Sequence, residues 1–212
     1  MQNLLYGGLK AGSMSNTVYE TIEQFSGELT TNSTLYIKET PVPENAFQKA
    51  YVPYALIAFP YIPEELQLQD GEGWLSYQGQ YYSESQFKTM LQNNSLPAAL
   101  RSVVERNHIN AEKLTSSEDG FSLEGLNFYY KSYNYYPVFI NHFGGDPAHA
   151  VYGQYGIVRG NEYRIHLVEV SSVGSATPIL YTNDFSPIFS DKHTAISARV
   201  LDPVVRTQEV RF

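Results

Sequence analysis

Five histidines and several paired carboxylates are the residues of this chain best suited to metal binding or catalysis. His142 and His149 lie seven residues apart on either side of Asp146, and His166 precedes Glu169 by three residues. Two imidazoles and a carboxylate can hold a transition metal, provided that the fold brings them to one point. Their spacing matches no common metal motif. We therefore interpret them as ordinary loop and strand residues and expect no metal and no cofactor.

No nucleophile or phosphate-binding motif accompanies these residues. The sequence has no Gly-x-Ser-x-Gly elbow, no His-Glu-x-x-His and no Gly-rich loop followed by Lys-Ser/Thr. Its zero cysteines exclude thiolate nucleophiles, cysteine-ligated zinc and disulfides. Glu64–Glu65 and Glu118–Asp119 have the side chains that glycoside hydrolysis uses, but they would have to converge in a cleft. We expect that the protein is not an enzyme.

Aromatic residues are the most unusual part of the composition, with 18 Tyr, 11 Phe and 1 Trp. Tyr77, Tyr81 and Tyr82 with Trp74, or the run 129–136, could form a platform on which sugars stack. A half-exposed sheet also favours tyrosine, because the ring packs while the hydroxyl stays hydrated. We favour this second interpretation, and a surface glycan-binding module is the alternative function.

Charge and hydropathy exclude several classes of protein. With 14 basic and 22 acidic residues the net charge is −8, so the chain repels phosphate backbones and anionic lipids, and we expect no nucleic-acid partner. The longest apolar run, about Tyr54–Phe59, is far shorter than the ~18 to 20 residues that span a bilayer. The first residues lack the features of a secretory signal. The chain is therefore either cytoplasmic or a mature or truncated form of an exported protein.

Period-2 alternation indicates strands along most of the chain. Leu35 and Ile37 form one short face, and Ala55, Ile57 and Phe59 form the next, with Pro53 and Pro60 placing that strand at an edge or at a bulge. The other predicted strands are 74–77, 81–82, a dense run at 128–140 preceded by strand character near Phe121, and 155–159, 163–170, 194–201 and 204–212.

Between the early and late strands the periodicity becomes helical. Residues 83–92 lose alternation, and an apolar stripe on 96–106 consists of Leu96, Ala99, Leu100, Val103 and Val104. Pro97 is predicted at the first helical position, with Ser95 or Asn94 as the cap. Many short strands with one helical insertion predict a mostly-β protein, a β-sandwich with a short helical insertion. Residues 1–33 are interpreted as a tail or a remnant of a preceding domain, and 34–212 as the sandwich.

The last segment is a candidate assembly element. A terminal strand must pair with a sheet, its own or a neighbour's, to satisfy its backbone and bury its apolar side chains. Its alternation places Val204, Val210 and Phe212 on one face. The candidate polymerisation strand comprises Val204, Val205, Arg206, Thr207, Gln208, Glu209, Val210, Arg211 and Phe212.

Several stretches together resemble a known family. Residues 135–143 (YYPVFINHF), 155–165 (YGIVRGNEYRI), 173–178 (VGSATP) and 196–212 are similar in order and spacing to the C-terminal part of the Bacteroidales fimbrillins, the subunits of type V pili. Earlier strands, from Leu35 to Tyr77, are similar to that family as well. Gly160 between Arg159 and Asn161 departs from the family's direct Arg-Asn sequence. The family's lipidated cysteine and most of its N-terminal domain are also missing.

The resemblance implies a transthyretin-like β-sandwich, mainly the second of two such domains, in a structural subunit of a cell-surface fimbrium that supports adhesion. Such subunits are exported through the outer membrane as lipoprotein precursors, and a protease removes an N-terminal strand. The C-terminal strand of another subunit then fills the open groove. The implied partners are other pilus subunits, in a self-polymer or a heteromeric fibre, and a host or bacterial surface ligand. Deleting residues 203–212 should then leave a folded monomer that cannot enter fibres.

Overall fold

The computed structural model describes residues 39–42, 47–142, 152–170, 172–179, 181, 183–188, 195–200 and 205–211. In chain order the elements are β1 (Thr40–Pro41), β2 (Tyr54–Pro60), β3 (Trp74–Tyr77), β4 (Gln80–Ser83), α1 (Glu84–Gln92), α2 (Ala98–Arg106), α3 (Ala111–Ser116), β5 (Phe121–Leu123), β6 (Leu126–Tyr129), a 3-10 turn (Tyr130–Ser132), β7 (Tyr133–Phe139), β8 (Gly156–Ile157), β9 (Glu162–Glu169), β10 (Ala195–Val200) and β11 (Val205–Arg211). The predicted tail 1–33 and the strand at Leu35–Ile37 lie outside the described residues.

Strands dominate these elements, which confirms the mostly-β prediction. They form a four-stranded sheet in the order β4-β3-β6-β5, a three-stranded sheet in the order β10-β11-β9, and the pairs β2-β7 and β1-β8. The pairing is antiparallel except between β9 and β11, which are parallel. The layered sheets are compatible with a sandwich-like fold.

The strands predicted at 74–77 and 81–82 correspond to β3 and β4, and these two strands form a hairpin with a clear local cause. Gln78 and Gly79 connect the strands, and both have positive φ angles of 48° and 78°. Two consecutive left-handed residues are typical of a type I′ turn, whose twist matches that of the flanking strands.

Three short helices cover one face of the four-stranded sheet. The Ser83 hydroxyl accepts a hydrogen bond from the Gln86 amide at 3.1 Å and caps α1. The predicted stripe on α2 is largely confirmed, but Ala99 is exposed and Pro97 itself is the capping residue, so neither Ser95 nor Asn94 caps this helix. The apolar core beneath the helices contains Leu75, Phe87, Leu96, Leu100, Val103, Val104, Ile109, Leu114, Phe121, Leu126 and Phe128.

The dense aromatic run 128–140 is not one strand, which corrects the sequence-based prediction. A 3-10 turn at Tyr130–Ser132 divides it, and Lys131 and Ser132 have φ angles of 48° and 62°. The Ser132 hydroxyl donates to the Glu72 carbonyl at 2.7 Å, which holds the turn against a segment 60 residues away. The two halves consequently belong to different sheets, β6 under the helices and β7 beside β2.

The pair β2-β7 is a central layer with a core on each face. Tyr54, Leu56, Tyr135 and Phe139 are buried on one side together with Val42, Val52, Tyr155, Tyr181 and Ile188. Tyr136 and Val138 are buried on the other side, where Ile57 and Phe59 pack beside them as the period-2 pattern predicted. Within the described residues β2 pairs only with β7, so its two prolines flank an edge strand.

A buried amide connects the sheets. Asn134 is completely buried; its Nδ2 donates to the carbonyls of Ser132 at 2.9 Å and Tyr61 at 3.2 Å. Its Oδ1 accepts from the Gly174 amide at 3.0 Å. One side chain therefore joins the 3-10 turn, the segment after β2 and the loop at Gly174.

Candidate functional site

The C-terminal strand lies between two other strands of its own sheet. In β11, residues 206–211 are antiparallel partners of 195–200, so that Ser197 lies opposite Glu209. On its other edge β11 runs parallel to β9, from the pair Val205 and Glu162 onward. The described part of the candidate polymerisation strand is thus hydrogen-bonded on both edges, whereas Val204 and Phe212 lie outside the described residues.

Val210 anchors this strand in the core. It is completely buried and clusters with Tyr136 and Val138 of β7, with Val170 packed against the same group. The next residue, Arg211, is exposed, and the register to β9 shifts between these two residues. The irregularity lies beside the main apolar contact of the strand, and it fixes how β11 is aligned with β9.

His142 and Tyr163 hold the beginning of β9. The two side chains are 2.7 Å apart, from His142 Nδ1 to the Tyr163 hydroxyl, and that hydroxyl also accepts from the Val158 amide at 2.9 Å. In the preceding turn Gly160 has a φ of 76°, and Asn161 Nδ2 donates to the Val158 carbonyl at 3.1 Å. The extra glycine noted in the sequence therefore occupies a left-handed turn position that glycine adopts without strain.

The candidate histidines and carboxylates lie only partly within the described residues. Within the described residues no group of three or more histidines, aspartates and glutamates could hold a metal ion. Asp146 and His149 lie outside those residues, and His166 is in register with Glu209 on β11. Glu64, Glu65 and Glu118 are exposed at turns.

The aromatic residues considered as an alternative sugar platform are buried or packed against a buried cluster. Trp74 is completely buried and stacks on Tyr129 with a centroid distance of 3.8 Å. Burial raises the pKa of Tyr129 to about 12, and its hydroxyl donates to the Gly174 carbonyl at 3.2 Å. Burial likewise raises the pKa of Tyr136. The Trp74 ring offers no face to a sugar. Sequence reasoning missed the aromatic residues that are exposed, Tyr51, Tyr152 and Phe185, because none lies in an alternating run.

The fold and the terminal strand define a mostly-β protein built from stacked small sheets, with its last strand inside one of them. Residues 127–209 match the family model of the major fimbrial subunit protein type IV, fimbrillin, C-terminal domain. This segment, which is less than half of the chain, is similar to the C-terminal domain of the fimbrillins.

The match indicates a class of function. It supports a role as a structural subunit of a cell-surface pilus, a class whose members assemble with other pilus subunits. The match extends from β6 to β11, while the three helices precede it. A comparison with curated protein sequences gave no match. In the described part of the chain no helix is long and apolar enough to cross a membrane.

Proposed function

We propose that this chain is a fimbrillin-type pilus subunit that polymerises by donor-strand exchange, with residues 204–212 passing from one subunit to the next, and that the fibre supports adhesion. The observation that carries the proposal is the pairing of β11 on both edges by main-chain hydrogen bonds. Such bonds are independent of side chains, so an equivalent strand from another subunit can make them equally well.

The buried Val210 side chain fixes the register of β11, which backbone hydrogen bonds alone do not fix. A strand displaced by one residue turns every side chain to the opposite face of the sheet. Val210 would then leave its contacts with Tyr136 and Val138, and Arg211 would enter the core. Exchange thus replaces intramolecular pairing with equivalent intermolecular pairing in a fixed register. Repeated head to tail without closure, this contact builds a filament.

A reversible disulfide lock tests whether the strand must leave its own sheet. The chain has no cysteine, so Ser197→Cys with Glu209→Cys places two thiols on directly opposed residues of β10 and β11. We expect the oxidised double variant to stay monomeric in cells that assemble this subunit into pili. Reduction should restore fibre formation, which is counted by electron microscopy.

Each single-cysteine variant is the matched control, since it carries the same substitution without the cross-link. Mass spectrometry of the monomer verifies that the disulfide has formed. Fibres assembled at the normal rate by the fully oxidised double variant would contradict strand exchange. The lock leaves Val210 in place, so unlike a deletion of 203–212 it does not remove a core contact.

We also propose that the subunit is exported as a lipoprotein precursor and trimmed before assembly, and that residues 34–212 form one folded unit preceded by a tail. The support is the match of residues 127–209 to the fimbrillin C-terminal family model. Mass spectrometry of subunits purified from fibres and from membranes should find a lipid only on the membrane form. Limited proteolysis should release the tail, while cleavage first between β4 and β5 would contradict the single unit.

A further inference from the structure

Two exposed aromatic side chains lie in contact on the surface. Tyr51 is 46% exposed and Phe185 is 53% exposed. Their ring centroids are 5.7 Å apart and the ring planes meet at 51°. Within the described residues the other aromatic pairs each include a buried ring, so a pair in which both side chains are about half exposed requires an explanation.

The backbone beneath the pair is held in place. The Ala50 amide donates to the Asp184 carbonyl at 2.8 Å and the Lys49 amide donates to the Ser186 carbonyl at 3.0 Å. The Ile188 amide donates to the Phe47 carbonyl at 3.2 Å and extends this short ladder. The backbone that carries both rings is therefore held in place, which lowers the entropic cost of binding.

A carboxylate completes the surface. Asp184 accepts from the Ser186 amide at 2.9 Å and from its hydroxyl, and these bonds lower the pKa of Asp184, which stays ionised at neutral pH. Lys49 Nζ lies 3.5 Å from Asp184 Oδ2 and 5.3 Å from the centroid of the buried Tyr181 ring. The Asp184 side chain is still 37% exposed, so its carboxylate oxygens can accept further hydrogen bonds from a ligand.

We propose that Tyr51, Phe185 and Asp184 form a carbohydrate-binding site. One face of a pyranose ring consists of C–H groups that pack on aromatic rings, and its hydroxyl groups need acceptors. The two rings are in contact and each side chain is about half exposed, so one sugar can touch both side chains. An apolar protein segment would displace water from the Asp184 carboxylate and supply no hydrogen bond in its place. A sugar hydroxyl can donate a hydrogen bond that replaces the lost water.

The position of the site is compatible with a polymerised subunit. Tyr181 and Ile188 pack against one face of β2-β7, and Val210 packs against the other face. Phe185 lies in the chain between Tyr181 and Ile188, so we infer that the aromatic pair is on the side of this layer opposite to β11. Sugar binding at this site does not depend on strand exchange, and it goes beyond the role of the chain in assembly.

Titration of the full chain with methyl glycosides of glucose, galactose, mannose, fucose and N-acetylglucosamine tests the proposal, with saturation-transfer NMR as the readout. We expect a saturable response to at least one glycoside. The variant Tyr51→Leu with Phe185→Leu keeps an apolar surface but removes both rings, and it should weaken binding by about tenfold or more. Tyr152→Ala is the control, because Tyr152 is also exposed, at 66%. Thermal unfolding verifies that each variant is folded.

No saturable response to any of the five glycosides would overturn the proposal. Unchanged affinity in the folded double leucine variant would also overturn it, since the rings would then not be the contact. A third adverse result is loss of fibres in that variant without any glycoside response, which would identify the pair as a contact between subunits. The disulfide lock on β11 reports on assembly alone, so the two proposals fail independently.

Discussion

At the scale of single residues, Asn134 connects three backbone segments through buried hydrogen bonds. Its amide makes three hydrogen bonds to backbone groups of separate segments while completely buried. We expect Asn134→Leu to lower the free energy of unfolding by about 2 to 4 kcal/mol, because the Gly174 amide and two carbonyls lose a partner. Urea denaturation measures the loss.

Asn127→Ala is the control for this prediction. Asn127 also hydrogen-bonds side chains, Ser122 at 2.6 Å and Ser76 at 3.2 Å, but it lies on a half-exposed sheet face. Water can replace those bonds, so we expect a loss of less than about 1 kcal/mol. Equal losses of unfolding free energy in the two variants would show that the buried hydrogen bonds of Asn134 contribute no more than the half-exposed ones of Asn127.

Burial of Tyr129 makes the free energy of unfolding depend on pH in the alkaline range. Its pKa is raised to about 12 by burial, whereas an unfolded tyrosine titrates near ~10. The folded state therefore favours the neutral phenol, and this contribution is complete below about pH 10 and lost as the pH rises through about 12. Two pH units correspond to about 3 kcal/mol.

We expect Tyr129→Phe to lose less unfolding free energy than the parent between about pH 9 and 12, because it has no phenol to ionise. Urea titrations at a series of pH values, with tyrosinate absorbance recorded in parallel, provide the comparison. Parallel stability curves for the two proteins would contradict the assignment.

At the scale of elements, β11 depends on its one described buried anchor. Val210→Ala removes two methyl groups from the cluster with Tyr136 and Val138, and we expect a loss of about 2 kcal/mol. Hydrogen exchange should show faster opening of β9, β10 and β11 than of the helical core. Arg211→Ala is the adjacent control, since this residue is exposed and should change stability by about 0.5 kcal/mol or less.

The elements divide into those that sequence could predict and those that it could not. The turn at Gln78–Gly79, the stripe on α2 and the alternation of β2 are local signals, so they were predictable. The break at Tyr130–Ser132 was not, because its cause is a hydrogen bond to a carbonyl 60 residues away. The short helix α3 was missed because Leu114 is its one buried side chain.

At the scale of the whole molecule, the fold class and the similarity of residues 127–209 to fimbrillins were accessible from sequence, since strand order and spacing persist without any single strong motif. The candidate site was predictable only in part. The alternation around Val210 indicated a terminal strand, but its place between β9 and β10 depends on nonlocal pairing. Exposure of Tyr51 and Phe185 likewise follows from how distant loops meet.

A substitution at Gly120 tests the close approach between the end of the helical part and the loop at Ala176. Gly120 has a φ of 69°, and a Cβ there would collide with the carbonyls of Ala176 and Phe128. We expect Gly120→Ala to lower the midpoint of thermal unfolding strongly. Gly79→Ala is the matched control, with a φ of 78° and no atom within 4 Å of a Cβ, so it should cost only about 1 kcal/mol of backbone strain. Equal losses would show that the collision is relieved by movement.

The central position of β11 has a consequence for the shape of a subunit that releases it. Strands in a sheet are ~4.8 Å apart, so β9 and β10 stand about 9.6 Å apart across β11. Withdrawal of the strand would leave a slot one strand wide, bordered on both sides by unpaired amide and carbonyl groups. A subunit that gives up its last strand thereby becomes a receptacle for a strand of the same length and direction.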